Sequence, residues 1–218
     1  MLRSVITARL LVATGAAGAF SAASYGSKPA ALSSTNLPGA LFPPGFKLET
    51  HAGELVDAAE ALQHKHVLLY FSANWCPPCR RFTPALKDFY EVASRQAGGK
   101  KVEVIFVPSD EDEASARAYL RDHMGAWLMV PYGAPERWAL KKRYGSWAGA
   151  EREVLGTEGK RSGIPTLVLV DGASGDELDL TVRAKIEEAA GEPTRVAACL
   201  HSFEVCKGHH SALGGRGW

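Results

Sequence analysis

Two cysteines separated by two prolines, Cys76-Pro77-Pro78-Cys79, lie between two segments of regular pattern. Residues 67–72 form a short apolar run, which is typical of a buried strand. In residues 81–93 the apolar side chains recur at helical spacing, which predicts an amphipathic helix. The cysteine motif therefore joins the end of a strand to the start of a helix, and the fold must let these two elements pack side by side.

The place of Cys76 ahead of a helix favours its thiolate form. Unpaired backbone N–H groups and the positive end of the helix dipole face such a residue, and Arg80 adds positive charge. These effects lower the pKa of the first thiol in Cys-x-x-Cys sites to roughly 3.5–7.5. We predict that Cys76 is the attacking nucleophile and that Cys79, one helical turn on, resolves the mixed disulfide. Pro77 and Pro78 suit the first turn of the helix and restrict the motif.

A zinc site is the alternative use of these cysteines. Cys199 and Cys206, with His201, His209 and His210, could complete a set of four ligands. Zinc knuckles usually rely on backbone N–H groups between their cysteines, and two prolines supply none. Four cysteines are also too few for a disulfide-stapled scaffold. The pattern favours a redox pair with no bound metal, in which the disulfide itself takes the place of a cofactor.

Strand and helix patterns alternate along most of the remaining chain. The segments expected to be helical are 54–62, 113–122, 135–144 and 184–190, and those expected to be strands are 102–107, 166–170 and 177–182. Residues 127–130 form an apolar run that stops at Pro131. Ser109 is expected to cap the helix at 113, and the acidic residues 110–113 are expected to be solvated. Residues 145–162 are polar and rich in glycine, which indicates an irregular insertion. This order predicts an α/β fold, a mixed sheet with helices on both faces.

The two ends of the chain differ from its middle. Residues 1–45 are interpreted as a targeting leader and linker, 46–192 as the folded domain, and 193–218 as a C-terminal tail. The leader has basic and hydroxyl residues but no acidic residue, which is typical of an organelle transit peptide. We expect a mitochondrial location, with the secretory pathway or a plastid as alternatives. No apolar run reaches the roughly 20 residues that span a bilayer, so no membrane protein is expected. The formal net charge of +1 gives no reason to expect nucleic-acid binding.

Residues 71–84, Phe-Ser-Ala-Asn-Trp-Cys-Pro-Pro-Cys-Arg-Arg-Phe-Thr-Pro, resemble the tryparedoxin and nucleoredoxin branch of the thioredoxin-like superfamily. The resemblance extends to 127–132 and 163–167, and it implies a thioredoxin-like fold over roughly 45–190. It implies that Trp75 shields the disulfide and contacts partners. It also implies that Pro165 is a cis-proline beside the disulfide, where the backbone of Ile164 pairs with an extended substrate segment. An ordinary proline at the start of a strand is the alternative.

The same resemblance implies a monomeric thiol–disulfide oxidoreductase that reduces disulfides in partner proteins such as peroxiredoxins. Its electrons would come from a low-molecular-weight dithiol, from glutathione or from a flavoprotein reductase. The chain carries no nucleotide-binding motif, so direct binding of NADPH is not expected. Tyr70 stands where thioredoxins carry a buried acid, which leaves water or an acid elsewhere to take the proton of Cys79. A redox-regulated binding module without turnover, or a zinc-binding structural domain, remains the alternative function.

Overall fold

The computed structural model describes residues 40–96, 101–189 and 191–212. The strands of its sheet are β1 (Lys47–Thr50), β2 (Leu55–Asp57), β3 (His66–Ser72), β4 (Val102–Pro108), β5 (Leu128–Met129), β6 (Thr166–Asp171) and β7 (Glu177–Asp179). The helices are α1 (Ala58–Leu62), α2 (Pro77–Arg95), α3 (Glu113–His123), α4 (Pro135–Tyr144), α5 (Arg152–Leu155), α6 (Val182–Ala189) and α7 (Pro193–Ala212). Within these ranges, no helix combines the length and the apolar character that crossing a bilayer requires.

The strands form one mixed sheet in the order β2-β1-β5-β4-β3-β6-β7. Strand β3 lies in the interior of the sheet, parallel to β4 and antiparallel to β6. Every residue of β3 and β4 is buried, because helices cover both faces of the sheet. The mixed sheet with helices on both faces that we predicted is confirmed.

Alternate side chains of β3 enter two separate cores, as strand geometry requires. Leu68 and Tyr70 pack with apolar residues of α2, α3, α6 and α7 on one face. Leu69 and Phe71 pack with residues of α1 and α4 on the other. The two layers hold the end of β3, and therefore the cysteine motif, between them.

The start of the domain differs from its prediction in two ways. Residues 54–62 were expected to form one helix, but the first part is strand β2, which pairs with β1, and only Ala58–Leu62 is helical. The helix begins here because the Asp57 carboxylate accepts hydrogen bonds from the first two free N–H groups. Leu41, assigned to the linker, is buried and donates its N–H to the Ala173 carbonyl at 3.0 Å. The remaining leader, residues 1–39, lies outside the described residues.

The segment predicted to be a tail is a helix that packs on the core, so the tail assignment from residue 193 is wrong. Val196 and Phe203 of α7 are fully buried, and Cys199 and Leu200 are nearly so. These four positions follow the i, i+3, i+4, i+7 spacing of a helical stripe, in which a buried cysteine acts as a small apolar residue. Seven residues of helix separate Cys199 from Cys206 by about 10 Å, too far for a disulfide. Both thiols are free.

The insertion at 145–162 is more ordered than predicted. Gly145 ends α4 in the left-handed conformation, with φ at 61°, where a Cβ would meet a backbone oxygen at 2.5 Å. A 3-10 turn at Gly149–Glu151 leads into α5. Trp147 and Leu155 of this segment bury their side chains against Trp138. The insertion therefore adds a small apolar cluster to the outer side of α4.

Candidate functional site

The cysteine motif begins α2. Cys76 is the residue that caps the helix, and Pro77 and Pro78 occupy its first two positions, as predicted. Cys76 and Cys79 form a disulfide with their Cα atoms 5.2 Å apart. The Cys79 N–H donates to Cys76 Sγ at 3.3 Å, so this sulfur accepts a bond from one of the free N–H groups at the helix start. The same contact would stabilise a thiolate on Cys76 in the reduced pair.

A loop that is distant in sequence covers the disulfide. The Ile164–Pro165 peptide bond is cis, as the resemblance implied. The Ile164 carbonyl oxygen lies 3.8 Å from Cys76 Sγ, and its side chain packs on the two cysteines. Pairing of β6 with β3 joins Phe71 to Thr166, which brings these distant segments together. The cysteines themselves are buried, Cys76 at 3% exposure and Cys79 completely.

The surface beside the disulfide is apolar and open to solvent. Trp75 is 44% exposed, although its indole N–H is fixed by a 3.0 Å bond to the Ser109 carbonyl. Pro77 and Pro78 are also exposed, and Pro165 is half-buried. An exposed tryptophan held by its polar end is suited to contact with a partner. The exposed Arg80 lies in the first turn of α2, where its positive charge favours an anion near Cys76.

Tyr70 lies directly behind the resolving cysteine. Its hydroxyl lies 3.2 Å from the Cys79 carbonyl oxygen, to which it donates, and 3.0 Å from the Thr83 hydroxyl. Thr83 in turn bonds to the Tyr119 hydroxyl at 2.7 Å. Burial raises the pKa of Tyr70 well above its ordinary value, so the hydroxyl stays protonated at neutral pH. Tyr70 therefore holds the backbone of the motif and does not serve as the base for Cys79.

A buried charged cluster behind Trp75, formed by Asp110, Arg137, Lys141 and Glu151, is absent from the sequence-based prediction. All four side chains are at most 2% exposed. Lys141 Nζ donates to Glu151 and, at 2.6 Å, to the Pro108 carbonyl oxygen. Arg137 donates to the same carbonyl oxygen at 3.3 Å. The cluster joins α4 and the insertion to the loop that follows β4.

Two predictions about this loop are wrong. Asp112, not Ser109, caps α3 by accepting the Ser115 N–H at 2.7 Å. Ser109 is buried and donates its hydroxyl to Glu151 at 2.9 Å. Asp110, expected to be solvated, is fully buried and accepts the N–H of Asn74 at 2.8 Å. The loop therefore supports Asn74 and Trp75 from behind.

No group of three or more His, Cys, Asp or Glu side chains is placed to hold a metal ion among residues 40–96, 101–189 and 191–212. Cys199 lies on the buried face of α7, and burial raises the pKa of its thiol to about 11. A protonated, buried thiol is a poor metal ligand, since zinc binds the thiolate. The geometry therefore gives no support to the predicted zinc alternative.

Known proteins are similar to this chain in both sequence and fold. A family model described as thioredoxin-like matches residues 63–177. Tryparedoxin from Trypanosoma brucei brucei is 32% identical over 157 residues, which cover 70% of this chain and 88% of that protein. Probable nucleoredoxin 1 from Arabidopsis thaliana is 33% identical over 144 residues, 63% of this chain but 24% of the relative. The chain thus matches only about a quarter of that nucleoredoxin's length.

The solved structure of tryparedoxin II complexed with glutathionylspermidine has 29% sequence identity and a TM-score of 0.54. The alignment covers 70% of this chain and 94% of the tryparedoxin. The similarity therefore extends beyond the cysteine motif. It includes the fold and nearly the whole length of a tryparedoxin. This chain belongs to the thioredoxin-like family of oxidoreductases, in which it is similar to tryparedoxins and nucleoredoxins.

Proposed function

We propose that this protein is a protein-disulfide reductase that works through the Cys76–Cys79 pair. The observation that carries the proposal is the position of this disulfide, at the N-terminus of α2 and against the Ile164–Pro165 loop. The helix start favours a thiolate on Cys76, and the loop offers backbone for an extended partner segment. Trp75, Pro77, Pro78, Ile164 and Pro165 form the docking surface.

The reaction is an exchange of disulfides. The Cys76 thiolate attacks one sulfur of a partner disulfide, which forms a mixed disulfide and releases the other partner sulfur as a thiolate. Cys79 then loses its proton and attacks Cys76 Sγ, which closes the Cys76–Cys79 disulfide and releases the second partner sulfur. The partner gains two electrons from the pair, one proton from Cys79 and a second proton from solvent. A dithiol donor restores the pair by the same two steps in reverse.

The family relationship supports a choice of donor and acceptor. A tryparedoxin of similar fold has been solved with glutathionylspermidine, a low-molecular-weight thiol. We take a small dithiol as the donor, with glutathione and a flavoprotein reductase as the alternatives, and a peroxiredoxin-type peroxidase as the acceptor. The acid-free leader supports action in a mitochondrion.

Steady-state reduction of a protein disulfide tests the proposal. Insulin serves as the acceptor and dithiothreitol as the donor, and the rate is compared with and without the protein. We expect turnover in the wild type, its loss in Cys76→Ser, and retention in Cys206→Ser, a matched change of a free thiol. A wild-type protein that forms mixed disulfides but does not turn over would instead be a redox-regulated binding module.

A further inference from the structure

Asp110 is a buried carboxyl group attached to the redox motif. Its Oδ1 accepts the Asn74 N–H at 2.8 Å, two residues ahead of Cys76. Its Oδ2 is buried and has no hydrogen-bond partner among the described residues. A buried polar oxygen without a partner is uncommon in native proteins and calls for a role. The role can be that of a proton acceptor, because protonation of Oδ2 removes its unpaired charge.

We propose that Asp110 is a further functional residue of the site, a proton acceptor whose charge is coupled to the thiolate of Cys76. The proposal rests on the proposed function. Asp110 supplies the acidic group that is missing at Tyr70, where thioredoxins carry a buried acid. Two residues of chain span at most about 7 Å, so Asp110 Oδ1 lies within about 10 Å of the Cys76 backbone. Cys76 Sγ lies at most about 4 Å from its own backbone nitrogen, so the carboxylate and the thiolate are within about 14 Å of each other and their negative charges disfavour each other.

The surroundings of Asp110 leave it able to titrate. Burial raises the pKa of its carboxyl to about 6, while the Asn74 N–H and the Lys141 ammonium act in the opposite direction. The charged and titratable groups around it, from every element packed there, are Glu111, Asp112, Tyr132, Arg137, Lys141 and Glu151. Lys141 is itself paired with Glu151, so its positive charge is shared and does not by itself keep the Asp110 carboxyl ionised.

The proton balance of the redox step then includes Asp110. A dithiol donor reduces the Cys76–Cys79 disulfide and is itself oxidised to a disulfide, and its two thiols release two protons. One proton stays on Cys79. When Cys76 remains a thiolate, the second proton goes to solvent or to Asp110. Reduction therefore raises the pKa of Asp110, and an ionised Asp110 in turn raises the pKa of the Cys76 thiol.

Two measurements test the coupling, and neither needs a partner protein. The first is a carbon-13 NMR titration of the Asp110 carboxyl in the oxidised and the reduced protein. We expect titration near pH 6 when oxidised and about one unit higher when reduced, from two charges within about 14 Å of each other at an effective dielectric constant of about 20. The second is the pH dependence of Cys76 alkylation by iodoacetamide, quantified by peptide mass spectrometry.

Asp110→Asn removes the charge but keeps an oxygen for the Asn74 N–H, and Glu113→Gln, at an exposed carboxylate in the first turn of α3, is its control. We expect Asp110→Asn to lower the midpoint of Cys76 alkylation by about one unit and to make the pair about 30 mV less reducing, the equivalent of tenfold. Glu113→Gln should leave both unchanged. Equal shifts in the two variants, or an unchanged Asp110 titration on reduction, would overturn the proposal. Absent turnover with the coupling intact would instead refute only the proposed function.

Discussion

The buried ion pair between Lys141 and Glu151 predicts a large and specific loss of stability. Both side chains are completely buried, and Glu151 also accepts from Ser109 and from the Ala148 N–H. Glu151→Leu removes the ion-pair partner of the buried Lys141 ammonium and leaves it the Pro108 carbonyl oxygen as a hydrogen-bond acceptor. Breaking a buried pair in this way costs about 3–5 kcal/mol. We expect Tm to fall by about 10 °C.

The loss of stability in Glu151→Leu should depend on pH. Burial lowers the pKa of Lys141 to about 8 in the folded protein, and loss of Glu151 lowers that pKa further. Between the folded and the unfolded pKa the unfolded chain binds more protons, so stability rises with pH. The free energy of unfolding of Glu151→Leu should therefore recover in part between pH 7 and pH 9, as the stranded lysine loses its proton.

Urea unfolding followed by far-UV circular dichroism measures the free energy of unfolding at pH 7 and at pH 9. The double variant Lys141→Met, Glu151→Leu removes the charges together and should regain about 2 kcal/mol over Glu151→Leu, since an apolar pair can replace a buried ion pair. Glu153→Gln, an exposed position of α5, is the control and should change stability by less than about 0.5 kcal/mol. A double variant as unstable as the single one would show that the stranded charge is not the cause.

Three further predictions follow from the fold. Phe203→Ala should destabilise the domain by about 3–5 kcal/mol in urea unfolding, because the ring is fully buried; a loss below about 1 kcal/mol would contradict the packing of α7. The double change Cys199→Ser, Cys206→Ser should leave turnover within about twofold, since neither thiol is in the motif; a tenfold loss would place α7 in the electron path. N-terminal sequencing of the native protein should find a start between about residue 20 and the buried Leu41, and a start at Met1 or Leu2 would refute cleavage of a leader.

Where local chemistry determines an element, the sequence was enough to predict it. Helix α4 has the predicted bounds, because Pro135 suits its first position and Gly145 its left-handed end. The strand before the motif and the helix after it were also predicted, since both carry clear apolar patterns. The family resemblance, rather than local pattern, gave the cis bond before Pro165.

Features that depend on tertiary contacts were missed. Asp110, Lys141 and Glu151 come from three separate segments, and each reads as an ordinary surface charge until the fold buries them together. Strand β2 has three residues, too few for an alternating pattern to show. Helix α7 was missed because the apolar residues Ala197, Ala198 and Val205 lie outside its buried stripe and are exposed, which blurs the helical periodicity.

Mapping the covalent adduct of the Cys79→Ser variant tests the central claim most directly. The reduced variant is mixed with a disulfide-containing model protein and analysed by peptide mass spectrometry. The account predicts a mixed disulfide on Cys76 that persists, because no resolving thiol remains, while the wild type releases its partner and recovers the Cys76–Cys79 disulfide. An adduct on Cys199 or Cys206 in place of Cys76, or no adduct at all, would contradict the assignment of Cys76 as the nucleophile.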